Sequence, residues 1–139
     1  MPWKSSKSIE RLLIVEDEPL VAFDNEHALN DAGFTIVATV DTVEAALEIL
    51  ADQPVDMVLA DIVLAEGGDG IEVARTAQNL SIPVLFVSGH CPEEARGAAI
   101  GCLAKPYRSR DLIDAIRVVK TVLAGKTPRK RPAALSLYS

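Results

Sequence analysis

The 139-residue sequence contains few cysteines, few aromatic residues and no long apolar run. Its two cysteines are too few for a disulfide-stabilised secreted scaffold, so we expect reduced thiols in a cytoplasmic protein. The longest apolar runs, residues 12–15 and 84–87, are too short to cross a bilayer. Residues 1–8 are polar and do not read as a secretion leader. We therefore expect neither a membrane segment nor export.

Basic residues are scarce in the body of the chain. The net charge is −6, and residues 9–125 hold all 20 acidic residues but only eight of the 14 basic ones. An acidic domain repels phosphate backbones, so we expect no nucleic-acid binding by the domain itself. We interpret residues 1–8 and 126–139 as flexible tails around one domain, 9–125. The second tail is basic, and contact with an anionic surface is its alternative use.

Short apolar runs alternate with helical patterns along the chain. Strands are predicted at residues 11–15, 34–40, 55–60, 82–87 and 102–104. Helices are predicted between them and after the last strand, with Asp41 or Thr42 capping the second helix and Ser109 the last. This alternation indicates an α/β fold with a doubly wound parallel sheet. The last helix, at about 110–124, has an apolar face wider than one stripe requires, so a homodimer through this helix is possible.

Polar side chains follow four of the five predicted strands. Glu16 and Asp17 follow the first strand, Asp61 the third, Ser88 the fourth and Lys105 the fifth. Ligands of open α/β sheets bind at the carboxyl ends of the strands, so we expect these side chains to meet. Three carboxylates together require a cation, and an all-oxygen ligand set favours Mg²⁺. A metal, an ammonium and a hydroxyl suit a phosphoryl group, with Asp61 as a candidate nucleophile.

The ordered set of motifs resembles the receiver domain of two-component response regulators over about residues 10–124. The matching segments are LIVEDEP at 13–19, DIVL at 61–64 with DGIE at 69–72, VSG at 87–89 and KPY at 105–107. The resemblance implies a flavodoxin-like, five-stranded parallel sheet of order 2-1-3-4-5. It also implies self-catalysed phosphorylation of an aspartate and slower dephosphorylation, rather than conventional enzyme turnover.

The resemblance assigns a role to each of these residues. Asp61 would accept a phosphoryl group from a histidine kinase or a phosphotransfer protein. Lys105 would pair with the phosphoryl oxygens, and Ser88 would hydrogen-bond to one of them. The implied Mg²⁺ ligands are Asp17, Glu16 (directly or through water), Asp61 and the backbone carbonyl of Val63.

The sequence departs from the family pattern near the fifth strand. Cys102 stands three positions before Lys105, where receivers usually have an aromatic residue, and Tyr107 follows the lysine instead. Only 17 positions separate Ser88 from Lys105, so the fourth helix must be short or irregular. Gly97 weakens it further. These features are similar to those of a subgroup of stand-alone receivers.

The function expected is that of a single-domain receiver, which signals to an unknown protein target by contact. Two alternatives are a receiver-like scaffold that docks without phosphorylation and a small Mg²⁺-dependent phosphohydrolase. A phosphohydrolase would need a general acid two positions after Asp61, and Val63 stands there instead. His90, Cys91 and Cys102 suggest a metal or redox site only weakly, since no fourth ligand accompanies them.

Overall fold

Buried runs rich in leucine and β-branched residues form one six-stranded mixed sheet. The computed structural model describes residues 9–64 and 67–138. Within them the strands follow the order β2-β1-β3-β4-β5-β6, and all neighbours pair in parallel except β5 and β6. The strands are β1 Arg11–Val15, β2 Thr35–Val40, β3 Met57–Ala60, β4 Val84–Ser88, β5 Gly101–Ala104 and β6 Leu135–Leu137. The predicted flavodoxin-like fold and its order 2-1-3-4-5 are confirmed, with one strand added.

Four α-helices connect or follow the strands: α1 Pro19–Asp31, α2 Val43–Asp52, α3 Gly70–Asn79 and α4 Ser109–Leu123. Thr42 caps α2 as predicted, its Oγ1 accepting from the backbone N–H of Ala45 at 3.1 Å. At α4 the predicted cap is wrong by one residue. Arg108 occupies the cap position, and its N–H donates to the Asp111 carboxylate at 3.1 Å, so Ser109 is the first helical residue.

The sheet separates two apolar cores because successive side chains of a strand point to opposite faces. Leu13 and Val15 of β1 pack on the face covered by α2 and α3. Leu12 and Ile14 pack on the face covered by α1 and α4. Burial on both faces explains why the parallel strands are continuous apolar runs rather than alternating ones.

The C-terminal segment corrects an expectation. Residues 126–139 were expected to form a flexible tail beyond a five-stranded parallel sheet, yet Leu135–Leu137 pair antiparallel to β5. Leu135 is buried in the core on the α4 face, and the N–H of Tyr138 donates to the carbonyl of Ile100 at 2.9 Å. Apolar burial of Leu135 therefore overrides the polar composition that precedes it. The expected N-terminal tail, residues 1–8, lies outside the described residues.

The connection between β4 and β5 is as short as the sequence predicts. Its described helical structure is a single 3-10 turn, Glu93–Ala95, which follows Pro92. The wide apolar face of α4 is accounted for within this chain. Six of its residues are buried, and they pack on the sheet and on Leu135 of β6. The structure therefore supplies no argument for a dimer through α4.

Candidate functional site

The carboxyl end of β1 delivers three consecutive carboxylates. The N–H of Glu16 continues the sheet by donating to the carbonyl of Val40 at 2.9 Å, which turns the Glu16 side chain inward. Its side chain is only 1% exposed and also accepts from the backbone N–H of Glu18 at 3.2 Å. Asp17 is half-buried and Glu18 is exposed. The three carboxyl groups at this strand end thus differ in their exposure to solvent.

Asp61 lies at the end of β3, in the centre of the sheet. Its N–H donates to the carbonyl of Val15 at 2.9 Å, so β1 and β3 end side by side. Its Oδ1 accepts from the N–H of Val63 at 3.3 Å. Gly70, the first residue of α3, approaches the Asp61 carbonyl so closely that a Cβ would collide with it. A glycine is therefore required for α3 to begin beside Asp61.

Lys105 reaches the same point from the end of β5. Its N–H donates to the carbonyl of Ser88 at 2.7 Å, and the Lys105–Pro106 peptide bond is cis. Its Nζ lies 2.8 Å from Asp61 Oδ2, 2.9 Å from Glu16 Oε1 and 3.1 Å from Glu18 Oε1. One ammonium group therefore joins carboxylates from the ends of two strands.

Burial and charge act in opposite directions on the protonation of these groups. Burial raises the pKa of the Glu16 carboxyl, and the hydrogen bond from Lys105 only partly offsets this. For Lys105, burial alone would lower the pKa. Its hydrogen bonds to Asp61, Glu16 and Glu18 outweigh burial and hold the pKa above the usual lysine value. The lysine therefore stays charged at physiological pH.

The carboxylates form the one described group that could hold a metal ion. One oxygen from each of Glu16, Asp17, Glu18 and Asp61 lies within 4.8 Å of the others. Hard divalent cations bind such all-oxygen sets, and Mg²⁺ commonly does so through one or two carboxylates and several waters. The donor chemistry fits the expected metal.

The structure brings all the residues predicted for the site to one end of the sheet. A cleft of about 1000 Å³ is lined by Asp17, Asp61, Val63, Ser88 and Lys105. Glu16 meets this group through its ion pair with Lys105. The Ser88 hydroxyl accepts from the N–H of His90 at 3.4 Å.

Two residues of the site region were not predicted from the sequence. Glu18 joins the carboxylate cluster, and the available signal was the acidic run at 16–18. Asn25 is buried in α1, and its Nδ2 donates to the Tyr107 hydroxyl at 2.9 Å. This bond ties the segment after Lys105 to α1. Burial also raises the pKa of Tyr107.

The two cysteines form a disulfide bond, which corrects the expectation of reduced thiols. Cys91 and Cys102 are 11 positions apart in sequence, and their Cα atoms are 6.1 Å apart. The short β4–β5 connection folds back and places Cys91 beside β5. This pairing depends on the tertiary fold, and the spacing of two cysteines alone does not reveal it.

No described helix has both the length and the apolar character needed to cross a membrane.

Comparison with known proteins matches residues 12–117 to the response regulator receiver domain. The phyllosphere-induced regulator PhyR of Methylorubrum extorquens is 30% identical over 103 residues, which are 70% of this chain and 38% of PhyR. The response regulator MprA of Mycobacterium ulcerans is 30% identical over 116 residues, 78% of this chain and 49% of MprA. The chain thus spans half or less of the length of these two relatives.

Solved structures give the same result. The response regulator receiver protein of Sinorhizobium medicae superposes with a TM-score of 0.73 at 30% identity, covering 84% of this chain and 98% of that one. The N-terminal domain of a response regulator/sensory box/GGDEF 3-domain protein of Carboxydothermus hydrogenoformans gives 0.74 at 31% identity, with 84% and 98% covered. This chain belongs to the response regulator receiver domain family of two-component signalling.

Proposed function

We propose that this chain is a cytoplasmic receiver that accepts a phosphoryl group on Asp61 and signals by protein contact. The observation that carries the proposal is the ion pair of Lys105 with Asp61 and Glu16 inside the carboxylate cluster. It combines a nucleophile, a fixed positive charge and a set of metal ligands at the centre of the sheet. The donor is a phosphohistidine of a histidine kinase or of a phosphotransfer protein.

In the transfer step, an Asp61 carboxylate oxygen forms the new bond to phosphorus. The bond from phosphorus to the donor histidine nitrogen breaks, and its electron pair stays on the imidazole. Asp61 Oδ1 is oriented by the N–H of Val63, and Oδ2 by Lys105 Nζ. A carboxylate held at both oxygens loses little freedom on reaching the transition state.

Charge on the transferring oxygens is balanced by groups already in place. Lys105 exchanges its contact with Asp61 for one with a phosphoryl oxygen, and the Ser88 hydroxyl donates to another. Asp17, Glu16, Asp61 and the Val63 carbonyl would hold Mg²⁺, which supplies further neutralisation of negative charge when bound.

The donor docks on α1 beside the site. Two of the four exposed large apolar side chains of the described residues, Leu20 and Phe23, lie on α1, and they are 80% and 67% exposed. Residues of α1 line a common pocket with Lys105, Pro106 and Tyr107. An apolar helix surface next to the phosphoacceptor suits a helical donor domain.

One observation favours the alternative function, a scaffold that docks without phosphorylation. Cys102 occupies the β5 position where receivers usually carry the aromatic residue of their switch, and it is bonded to Cys91. A chain without that aromatic lacks the usual route from phosphorylation to surface change. Such a scaffold would keep its partner binding in the Asp61→Asn variant.

The test is intact-mass analysis after incubation with a small acyl phosphate, with and without Mg²⁺. We expect one Mg²⁺-dependent phosphoryl adduct in the wild type and none in Asp61→Asn. Asp114→Asn, an exposed aspartate of α4, is the matched control and should be phosphorylated normally. An unmodified wild type that is folded and supplied with both a small donor and a phosphotransfer protein would exclude phosphoryl acceptance.

A further inference from the structure

The disulfide connects β5 to the segment that follows β4, close to the two side chains proposed to bind the phosphoryl oxygens. Cys91 lies three residues after Ser88, and Cys102 lies three residues before Lys105. β4 and β5 are neighbours, with Ser88 paired to Ala104. Each end of the disulfide therefore lies three residues from a side chain that must bind the phosphoryl oxygens.

The disulfide restrains residues 88–91, which are held by few hydrogen bonds. The carbonyl of Ser88 is held by the N–H of Lys105, but beyond it the Ser88 hydroxyl meets His90 N–H only at 3.4 Å. The hydroxyl can accept from His90 N–H and still donate its own proton, so binding a phosphoryl oxygen requires the Ser88 side chain to direct that proton into the cleft. The disulfide fixes the far end of the same segment, because Cys102 is fully buried in the core.

The two cysteine residues differ in accessibility. Cys91 is partly exposed and lines the cleft that contains Asp61, Ser88 and Lys105, whereas Cys102 is completely buried. A thiolate reductant therefore reaches the Cys91 sulfur first. The bond between the two cysteines then breaks, and its electron pair leaves with Cys102, which takes up a proton. A second thiol releases the reductant from Cys91, so two thiols are oxidised to a disulfide and two protein thiols are formed.

We propose that the Cys91–Cys102 bond is a redox control of the phosphorylation site. The disulfide form holds residues 88–91 in place and disfavours the phosphoryl-bound conformation, which slows phosphoryl uptake, whereas the dithiol form frees Ser88 to turn toward the phosphoryl group. Disulfides in reducing compartments are usually transient and redox-sensing, which fits a bond reachable from the active-site cleft. The inference rests on the proposed phosphorylation of Asp61.

The coupling must act in both directions. If the phosphorylated conformation is reached more easily without the bond, phosphorylation must also make the bond easier to reduce. A phosphoryl analogue that occupies the site, such as beryllofluoride with Mg²⁺, should therefore shift the thiol–disulfide midpoint towards less reducing conditions. This second measurement does not depend on a rate.

The experiment compares phosphoryl uptake by the oxidised and the dithiol-reduced wild type, using an acyl phosphate, Mg²⁺ and intact-mass detection. We expect uptake to be about fivefold faster or more after reduction, the lower end of typical coupling. Cys91→Ser, which changes the accessible cysteine, should match the reduced rate and ignore the reductant. If this variant does not fold, Cys91→Ala with Cys102→Val serves the same purpose.

The outcomes separate the two proposals. An adduct that forms at equal rates in both redox states, or more slowly after reduction, overturns the redox control and leaves phosphoryl acceptance intact. A thiol–disulfide midpoint unmoved by beryllofluoride overturns it as well. A folded protein that forms no adduct in either state overturns phosphoryl acceptance itself, and the redox control with it.

Discussion

The two halves of the sheet are built differently. In the first half, β1, β2 and β3 are each followed by an α-helix of ten residues or more, and the strand ends supply every carboxylate of the site. In the second half, one 3-10 turn and a disulfide connect β4 to β5, and an antiparallel strand covers the edge. The carboxylates of the site therefore come from the half that keeps the regular α/β architecture, whereas Ser88 and Lys105 come from the other half.

The parts of the second half form one connected unit. The guanidinium of Arg96, just after the 3-10 turn, lies 5.2 Å from the ring centre of Tyr138, next to β6. The N–H of Ala104 in β5 donates to the carbonyl of Ala134 at 3.0 Å. Pairing of β5 with β6 makes the three-residue strand β6, rather than β5, the edge of the sheet. The comparison shows that residues at the ends of four strands are enough to assemble the site. The connection between β4 and β5, on the Lys105 side, differs from the helical connections of the first half.

The largest expected effect comes from removing the charge that links the halves. In Lys105→Met, the buried Glu16 and Asp61 lose their shared cation, and we expect the free energy of unfolding to fall by about 3 kcal/mol near pH 7.5. Burial already raises the pKa of Glu16 in the wild type, and losing the lysine raises it further. The folded variant then binds more protons than the unfolded chain, so its stability rises as the pH falls.

Urea unfolding of this variant at about pH 5 and about pH 7.5 tests the prediction, since the ordinary glutamate pKa lies below both values. The cost should be smaller at the lower pH. Lys126→Met, an exposed lysine beyond α4, should change stability by less than about 0.5 kcal/mol. A loss that is the same at both pH values would mean that the lysine acts through packing rather than charge.

The next effect concerns the added strand. Leu135 of β6 is 4% exposed, and Leu135→Ala should cost about 2 kcal/mol, the lower end for a buried leucine because the strand lies at an edge. Hydrogen exchange should accelerate more at the amides of Ala104 and Tyr138 than in β1 or β3, where only the lower global stability acts. Leu20→Ala, at an exposed leucine, is the stability control. Exchange that accelerates equally across the whole sheet would contradict a local role of β6.

Most of the first half was predictable from the sequence, and much of the second was not. Continuous apolar runs predicted the buried strands, and the polar residues that follow them predicted the meeting of Glu16, Asp17, Asp61 and Lys105 at one edge. This works because parallel strands end together whatever the loops do. Such a rule requires only strand ends and not the course of the chain between them.

The features missed depend on tertiary contacts. The partner of Glu18 is Lys105, 87 positions away, so neither residue indicates the ion pair by itself. The Cys91–Cys102 bond depends on how the short connection folds back. Strand β6 has three residues after a basic, proline-containing stretch, too few to show a periodic pattern. Burial of Leu135, rather than local propensity, decides that it forms a strand.

A smaller effect tests how tightly α3 must approach the acceptor. In Gly70→Ala the new methyl group collides with the Asp61 backbone, and overpacking of this kind should cost about 2 kcal/mol and slow phosphoryl uptake. Gly97→Ala is the counterpart in the second half. A Cβ there has no atom within 4 Å, so this variant should be neutral or more stable by about 0.5 kcal/mol. Equal losses in both variants, measured by urea unfolding, would contradict the comparison.

The smallest effects compare one helix cap from each half. Thr42→Ala removes the hydroxyl that accepts from Ala45 N–H at 3.1 Å, and we expect a loss of about 1 kcal/mol that does not vary with pH. Asp111→Asn removes the carboxylate that accepts from Arg108 N–H, and the loss should be smaller because this hydrogen bond lies at the protein surface. The hydrogen bond to Arg108 N–H lowers the pKa of Asp111.

The pH dependence of the stability loss in Asp111→Asn follows from the lowered pKa of Asp111. The stabilisation by Asp111 is fully present above the ordinary aspartate pKa and disappears as the pH falls through the lower value of the folded state. The stability difference between wild type and Asp111→Asn should therefore shrink on acidification, while that for Thr42→Ala stays constant. Thermal unfolding of all three proteins from about pH 7 to about pH 3, across the ordinary aspartate value, measures both. If the stability difference between wild type and Asp111→Asn does not change with pH, the carboxylate charge of Asp111 does not contribute to the stability of α4.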